Sequence, residues 1–399
     1  MNDNYKNLII LGNGFDLHLG LPTKWSDFVE FYEIIMNNSF EICKFAKEEV
    51  WAFENFKLNK SKWNSIFTID SCLNFIKNSI DNEDDMKSYT NKVNLFIANL
   101  KQCKMLSLLL ELKKNNNEYV NFSWSDFEHL IEEILDSVDE YVENLLNRLH
   151  CADAVIFMNE LLRQTIENMD YKDDTYFSMS YQVGDFNLKT DVINSKNKFL
   201  DYIFNELIKF TSVYKMYIDL IVDNMINDLH NTIHVKNTLI LTFNYTQDIV
   251  LFDDFVGNRL YIHGKADNDI IIGISNDQEK EERIKFSKNY MRVYNRVLDN
   301  NNKDNINQIN KYVSDHTFSH YYFLGHSLDK IDHSFLKQLF KENIYTKTTI
   351  FYYTDDDMLK KIFNLYLMVG EKYMTQMLNN GSLEFIPFDR LENYDFNNS

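Results

Sequence analysis

Three polar side chains that could take part in catalysis stand at or beside the ends of predicted strands. His263 lies in the run YIHG, where an imidazole could act as a base near neutral pH. Asn244, in TFNYT, could present its amide as donor and acceptor, and Asp16, in GNGFD, could meet a ribose hydroxyl or cap the following helix. A turn asparagine and a hydrogen-bonded core histidine are the alternative interpretations of Asn244 and His263.

Glycines occur at the same strand ends. The chain has 10 glycines, and six lie at or just beyond predicted strands: Gly12, Gly14, Gly20, Gly264, Gly273 and Gly325. Glycine at such a turn lets backbone N–H groups approach a phosphate, assisted by the N-terminus of the next helix. The spacing of GNGFDLHLG departs from the dinucleotide fingerprint, and no second strand with an acidic end follows, which argues against hydride transfer. Ordinary strand-to-helix turns are the alternative.

The segment FLGHSL invites comparison with the nucleophile elbow of α/β-hydrolases, which needs G-x-S-x-G. Here the last position is Asp329 instead of glycine. Those hydrolases also place their histidine after the serine and the acid, and only His333 follows Ser327, within a predicted helix. We therefore interpret Ser327 as a hydroxyl that binds a phosphate or a ribose, and not as a nucleophile.

Apolar, β-branched runs predict the strands that position these residues. The predicted strands span residues 7–11, 238–243, 260–263, 270–274, 321–324 and 348–353. After the glycine-rich turn we predict a helix with Trp25, Phe28, Val29 and Tyr32 on its inner face. Later helices are predicted at residues 279–300, 332–343 and 356–368. Strands that alternate with helices indicate an α/β fold with a mostly parallel sheet.

The long segment after the first strand has a different, helical pattern. Apolar residues between Phe127 and Leu149 recur at helical spacing behind an S-x-x-E capping box, and residues 200–229 repeat the pattern. We therefore predict a nucleotide-binding α/β domain made of residues 1–35 and 236–399. A helical insertion domain over residues 36–235 interrupts it.

Composition limits the classes of function. The formal net charge of −19 repels nucleic-acid backbones and argues against a nucleic acid partner. Four widely spaced cysteines are typical of reduced core thiols: Cys43, Cys72, Cys103 and Cys151. The pairs His230/His234 and His316/His320 have no nearby ligand to complete a metal site, so no metal is expected. Without a signal peptide or an apolar run near ~20 residues, we expect a soluble, cytoplasmic protein that does not contact the membrane.

Six motifs taken in order resemble the AbiH family of bacterial phage abortive-infection proteins: GNGFD, GLPTxWSDF, WSDFE, TFNYT, YIHG and GHSLDxxD. That family is in turn similar to sirtuins and to sirtuin-like defence NADases. The resemblance implies a Rossmann-like, sirtuin-like sheet with a large helical insertion, and NAD as the substrate.

The resemblance also implies roles for individual residues. Asn244 and His263 would flank the nicotinamide ribose, and Asp16 completes the predicted catalytic set. The implied nucleotide-binding positions are Gly12, Asn13, Gly14, Phe15, Thr23, Gly264, Gly325, His326 and Ser327.

These roles describe an NAD glycohydrolase of antiviral defence. His263 would take a proton from water or a ribose hydroxyl, Asn244 would orient the water or the ribose, and Asp16 would stabilise the developing positive charge. The insertion would cover the site or sense a phage-derived trigger, and homo-oligomers are expected for this class. A nucleotide-binding sensor without turnover is the main alternative. A metal-dependent nuclease or phosphodiesterase is a weaker one, because the chain is acidic.

Overall fold

The computed structural model of the chain describes residues 5–37, 83–103, 205–206, 208–223, 233–235, 237–246, 252–253, 259–264, 270, 318–341 and 346–396. Its strands are β1 (Asn7–Leu11), β2 (Ile233–His234), β3 (Thr238–Thr242), β4 (Phe252–Asp253), β5 (Arg259–Tyr261), β6 (His320–Leu324), β7 (Lys347–Tyr352) and β8 (Leu383–Pro387). Strands β2 and β4 pair with each other, and the other six form one sheet.

The six-stranded sheet is parallel throughout, in the order β5-β3-β1-β6-β7-β8. From β1 the chain proceeds to β3 and β5 on one side, and then to β6, β7 and β8 on the other side. The carboxyl ends of all six strands therefore share one edge. The direction of winding changes between β1 and β6, and in open α/β sheets ligands bind in the crevice at such a point.

Strands β1, β3 and β6 are buried on both faces, which explains why apolar and aromatic residues follow one another without polar alternation in their interiors. Along β1, Leu8 and Ile10 face one core cluster, whereas Ile9 and Leu11 face the other. Strand β6 alternates in the same way, with Phe323 in the first cluster and Tyr322 in the second. Each such side chain contributes about 1.5–3 kcal/mol through burial. This two-sided burial fixes the register of the strand ends that carry the polar residues.

The described helices are α1 (Asn13–His18), α2 (Trp25–Asn37), α3 (Glu83–Gln102), α4 (residues 208–217), α5 (His333–Lys341), α6 (Asp355–Val369) and α7 (Glu371–Asn379). Helix α4 continues into a π-helical segment, Ile218–Val222, and 3-10 turns occupy Lys330–Asp332 and Phe388–Asn393. The hydroxyl of Thr354 caps α6 by accepting from the Asp357 N–H. No described helix is long and apolar enough to cross a membrane.

Aromatic packing joins α2 to α4. The ring of Phe28 lies 5.3–6.2 Å, between centroids, from those of Phe210, Tyr214 and Tyr217. The Tyr217 hydroxyl donates to the Pro22 carbonyl at 2.7 Å. Helix α4 and its π-helical end are thereby held over the segment that leads from β1 into α2.

The α/β prediction is confirmed, since helices accompany an all-parallel sheet. The predicted strands of residues 7–11, 238–243, 260–263, 321–324 and 348–353 match β1, β3, β5, β6 and β7 within a residue or two. The helices predicted at 332–343 and 356–368 correspond to α5 and α6. All six strands of the sheet fall within residues 1–35 and 236–399, while the domain boundaries themselves remain predictions.

Other expectations need correction or lie outside the described residues. Tyr32 is only half-buried, and Phe31 takes the inner position on α2, with 1% of its side chain exposed. Strand β8 was not predicted, and His234 and His320 lie on strands, so the HxxxH pairs do not share a helix face. Cys103 is buried and forms no disulfide among the described residues. The other predicted features are outside the described part of the chain: residues 125–149, 271–274 and 279–300, and Cys43, Cys72 and Cys151.

Candidate functional site

Asp16 is the centre of a buried hydrogen-bond cluster that joins the turn after β1 to the end of β3. Asn244 donates through Nδ2 to Asp16 Oδ1 at 2.8 Å, and also to the Gly12 carbonyl at 3.2 Å. The Thr246 hydroxyl donates to Asp16 Oδ2 at 3.1 Å. All three side chains are at most 3% exposed. Segments 228–230 residues apart in the chain therefore meet through one carboxyl group.

The environment of Asp16 raises the pKa of its carboxyl group to about 7. Burial is the largest cause, because it penalises the charged form, and the carboxylate of Asp223 adds to the effect. The hydrogen bonds from Thr246 and Asn244 act in the opposite direction. A carboxyl group with this pKa can hold or release a proton near neutral pH, which is what acid–base catalysis requires.

A small cavity opens beside Asp16. Its enclosed space is about 20 Å³, room for about one water molecule, and its wall consists of Asn13, Asp16, Thr23, Tyr214, Ile218, Phe243, Asn244, Tyr245 and Thr246. Within the described residues, the buried Asn244 Oδ1 and Thr23 Oγ1 atoms have no hydrogen-bond partner. An unpartnered buried polar atom costs about 1–3 kcal/mol, so these atoms favour a bound polar group. The cavity thus combines aromatic walls with polar atoms ready to bind a ligand.

The glycine turns have a packing role of their own. The Gly12 N–H donates to the Leu324 carbonyl at 3.0 Å, and the Gly14 N–H donates to the Gly325 carbonyl at 2.9 Å. A Cβ on Gly12 would lie 2.5 Å from the His326 Cα atom, and one on Gly325 would lie 1.9 Å from the Phe15 nitrogen. Glycine is therefore required because the turns after β1 and β6 pack backbone against backbone. Nucleotide contact by these glycines remains a prediction.

Helix α6 and the end of β7 hold the same two turns. The Tyr353 hydroxyl donates to the Gly14 carbonyl, and burial, with Asp357 and Asp16 nearby, raises the pKa of that hydroxyl. Lys361 donates to the His326 carbonyl at 2.8 Å. The Asn364 amide donates to the Ser327 carbonyl at 3.1 Å. The edge that carries the cavity is therefore supported from the β7 side of the sheet.

A second polar cluster contacts Phe243 and Tyr245, two residues of the cavity wall. Asp332 joins two imidazoles, with His263 Nε2 at 3.2 Å from Oδ1 and His326 Nε2 at 3.3 Å from Oδ2. Burial opposes ionisation of Asp332, but the hydrogen bonds from the two histidines outweigh it and hold the pKa of the carboxyl well below its usual range. The rings of Phe243 and Tyr245, which line the cavity, contact His263 at centroid distances of 5.5 and 6.0 Å.

The structure brings together some of the predicted site residues and separates others. Asn13, Asp16, Thr23 and Asn244 line the cavity. His263 does not line it, but its ring contacts Phe243 and Tyr245, which do. The other predicted positions do not line the cavity. The backbones of Gly12, Gly14 and Gly325 pack closely in the turns after β1 and β6, and Phe15 lies in the core. His326 pairs with Asp332, Ser327 is exposed, and Gly264 has a φ of +74°.

Sequence reasoning assigned no role to Thr246, Tyr214 or Asp332. Thr246 is the last residue of TFNYT, and Asp332 is the final acid of GHSLDxxD, so both stood inside motifs already singled out. Tyr214 belongs to a helical pattern with no signal of a site. Among the described residues, no group of three or more His, Cys, Asp or Glu side chains is arranged to hold a metal ion.

Fold and site together define an α/β protein with a small, carboxyl-containing cavity at the carboxyl edge of a parallel sheet. The family Bacteriophage abortive infection AbiH matches residues 8–354, and the chain belongs to this family. Membership of this family gives the chain a role in abortive infection, which acts against bacteriophage. No curated protein and no solved structure matches the chain.

Proposed function

We propose that this AbiH protein acts in phage defence by hydrolysing NAD to nicotinamide and ADP-ribose at the Asp16 cavity. The observation that carries the proposal is the buried Asp16 carboxyl, bound by Asn244 and Thr246, beside a cavity with unpartnered polar atoms. The strand order, which winds outward in both directions from β1, supports a Rossmann-like and nucleotide-binding character for the sheet. We place the reaction in the cytoplasm.

The proposed chemistry breaks the bond between the ribose C1′ and the nicotinamide nitrogen. Nicotinamide leaves as a neutral molecule, water adds its oxygen to C1′, and one proton of that water passes to a base. Asp16 suits this step because it lines the cavity and its pKa is near neutrality, and as a carboxylate it stabilises the cationic transition state. Asn244 would position the ribose or the water through Oδ1.

His263 is the base that the family resemblance implies. Because its ring contacts Phe243 and Tyr245 and does not line the cavity, we assign the first proton transfer to Asp16, and His263→Ala should retain more activity than Asp16→Asn. We also propose that a trigger from the phage activates the protein through the helical segments, and that several copies of the chain assemble.

The first experiment measures NAD cleavage directly. Purified protein is incubated with NAD and free nicotinamide is quantified, and NAD is also measured in phage-infected cells that express the protein. Wild-type protein should release nicotinamide or deplete NAD during infection. Asp16→Asn should reduce the rate by about 10²–10⁴-fold, the usual contribution of a proton-transfer group, and Asn244→Ala should also reduce it. The exposed-site variant Asp356→Asn is the control and should retain the activity.

One observation favours an alternative function, nucleotide sensing without turnover. The enclosed space of the cavity, about 20 Å³, has room for about one water molecule, whereas most small-molecule sites enclose roughly 300–1,000 Å³. A sensor would bind NAD in calorimetry and release no nicotinamide, with infected cells keeping their NAD. If infected cells are protected by the wild type and by Asp16→Asn alike while NAD stays constant, the hydrolase proposal is wrong.

A further inference from the structure

The orientation of the Asn244 amide is determined by its partners. Its Nδ2 group donates to the Gly12 carbonyl at 3.2 Å and to Asp16 Oδ1 at 2.8 Å. Because a backbone carbonyl can only accept, the amide nitrogen must lie on this side, and the amide cannot be turned over. Asn244 Oδ1 is then a buried acceptor without a hydrogen-bond partner among the described residues. It requires a donor from a molecule in the cavity.

Thr23 brings a second such atom to the cavity from another part of the chain. Its backbone is fixed, since its N–H donates to the Leu21 carbonyl at 2.9 Å and its carbonyl accepts from Asn13 Nδ2 at 3.3 Å. The residue is 3% exposed, and within the described part of the chain Oγ1 has no hydrogen-bond partner. A hydroxyl can both donate and accept. One molecule between Thr23 Oγ1 and Asn244 Oδ1 would therefore satisfy both atoms.

The size of the enclosed space decides which molecule fits. About 20 Å³ is room for about one water molecule, and a buried water makes roughly two to four hydrogen bonds. Asn244 Oδ1 and Thr23 Oγ1 supply two of them. Asp16, in the same wall, can supply a third, because a carboxylate has about four acceptor positions and its bonds from Asn244 and Thr246 occupy only two. A ribose ring does not fit in this space.

We propose that the cavity binds a single water molecule between Asn244 Oδ1 and Thr23 Oγ1, and that this water is the nucleophile that attacks the ribose C1′. Thr23 is then a positioning residue, which acts on the reaction through the water. The nucleophilic role rests on the proposed NAD hydrolysis, whereas the water site itself does not. The ribose lies at the mouth of the cavity, and only the water lies inside it.

In this arrangement every hydrogen and lone pair of the water is used. The water donates one hydrogen to Asn244 Oδ1 and the other to the Asp16 carboxylate, and it accepts from the Thr23 hydroxyl, so one lone pair is left for C1′. As that lone pair forms the O–C1′ bond, the C1′–N bond breaks, its electron pair stays with nicotinamide, and the proton passes to Asp16. Because the space has room for about one water, larger acceptors such as alcohols are excluded, and the site favours hydrolysis over transfer.

The first test locates the water without any turnover. High-resolution crystal structures are determined for the wild type, Thr23→Ser, Thr23→Val and the exposed-site control Thr375→Val. All except Thr23→Val should show one water about 2.5–3.2 Å from Asn244 Oδ1 and from the hydroxyl at position 23. Thr23→Val keeps the shape without the hydroxyl and should lose this water. The inference is overturned if the wild-type density shows no water, or a cation or buffer molecule, or if Thr23→Val keeps the water. The wild type alone can decide, so poor folding of a variant does not remove the test.

The second test asks whether this water is the nucleophile. NAD is cleaved in mixtures of water and methanol, and ADP-ribose is separated from its methyl glycoside by mass spectrometry. The wild type should form the methyl product at least about tenfold below the molar share of methanol, the usual rejection of one extra carbon. Thr23→Val should lower kcat about tenfold or more with little change in KM, whereas Thr23→Ser and Thr375→Val should retain kcat.

A methyl product in proportion to the methanol, or an unchanged kcat in Thr23→Val, would overturn the nucleophilic role of the water. If no NAD is cleaved, the proposed hydrolase is wrong and the nucleophilic role fails with it. The water site is then still decided by the crystal structures, so the two failures can be distinguished.

Discussion

Lys361 is a buried charged residue that holds the turn after β6. Only 3% of the residue is exposed, although lysine is almost never buried without partners. Its Nζ donates to the His326 carbonyl at 2.8 Å and pairs with Asp357 at 3.0 Å. Burial lowers the pKa of the Lys361 ammonium, and the Asp357 carboxylate opposes that shift. The side chain thereby ties α6 to the turn that carries His326.

Replacing Lys361 by methionine keeps the aliphatic stem and removes both polar contacts. The buried carbonyl and the Asp357 carboxylate then lose a partner, so we expect Lys361→Met to lower the free energy of unfolding by about 1–3 kcal/mol. Lys360→Met is the matched control, because Lys360 is exposed on the same helix. Urea unfolding followed by circular dichroism measures both. Equal midpoints for the two variants would show that the Lys361 contacts do not contribute to stability.

The chemical roles of individual residues could be predicted only in part from the sequence. Asp16 and Asn244 were singled out because both follow strands, and parallel strands place such residues at one edge; their direct hydrogen bond agrees with that reasoning. Asp332 could not be given a role, because it meets His263 across 69 residues and no local pattern encodes that meeting. Sequence spacing identifies residues at the same edge, whereas which of them touch depends on turn geometry.

At the scale of elements, the turns after β1 and β6 behave as one unit. Strand β1 pairs with β6, so the two turns leave the sheet side by side, and their backbones approach more closely than side chains would allow. Gly325 combines φ +67° with a Cβ position only 1.9 Å from the Phe15 nitrogen. Gly381 has a similar φ of +71°, but no atom lies within 4 Å of its Cβ position.

Replacing each of these two glycines by alanine distinguishes the cost of a left-handed backbone from the cost of a steric clash. Gly381→Ala should cost about 1–2 kcal/mol, the usual penalty of a left-handed conformation for a residue with a Cβ. Gly325→Ala adds a backbone clash that no rotamer change relieves, so we expect a loss of several kcal/mol, comparable with the 5–15 kcal/mol that stabilises most domains. Thermal unfolding of both variants measures the difference. Similar melting temperatures would mean that the turns can move apart.

Elements were predictable where burial makes the pattern continuous. The interiors of NLIIL and TLILT are unbroken apolar runs, LIIL and LIL, because both faces of β1 and β3 are covered, and each strand was predicted within a residue. Strand β8, LEFIP, was missed because it lies at the edge of the sheet, with Glu384 exposed and a proline at its end. The π-helical end of α4 was also missed, because it is a local change in hydrogen bonding within an ordinary helical pattern.

At the scale of the whole molecule, two buried carboxyl groups make stability depend on pH in opposite ways. The pKa of Asp16 is raised in the fold, so the folded chain keeps a proton that the unfolded chain releases between about pH 4 and pH 7. The stabilisation linked to that proton decreases as the pH rises through this window. The pKa of Asp332 is lowered, so its stabilisation is present above about pH 4 and is lost as the pH falls below that value.

Asp16→Asn isolates the first of these effects, since an asparagine cannot ionise but can still bond to Asn244 and Thr246. Near pH 4 the variant and the wild type should unfold at similar temperatures, because Asp16 is then largely protonated. By pH 8 the variant should be the more stable of the two by up to about 4 kcal/mol, given about 1.4 kcal/mol per pKa unit over the shift from 3.8 to about 7. The difference in free energy of unfolding between the two should therefore grow across pH 5–8, measured by urea titration at each pH. Asp356→Asn should show no such growth, since Asp356 is exposed. A constant difference for Asp16→Asn would mean that the carboxyl already ionises freely in the folded chain, which would also remove the physical basis for its use as a base at neutral pH.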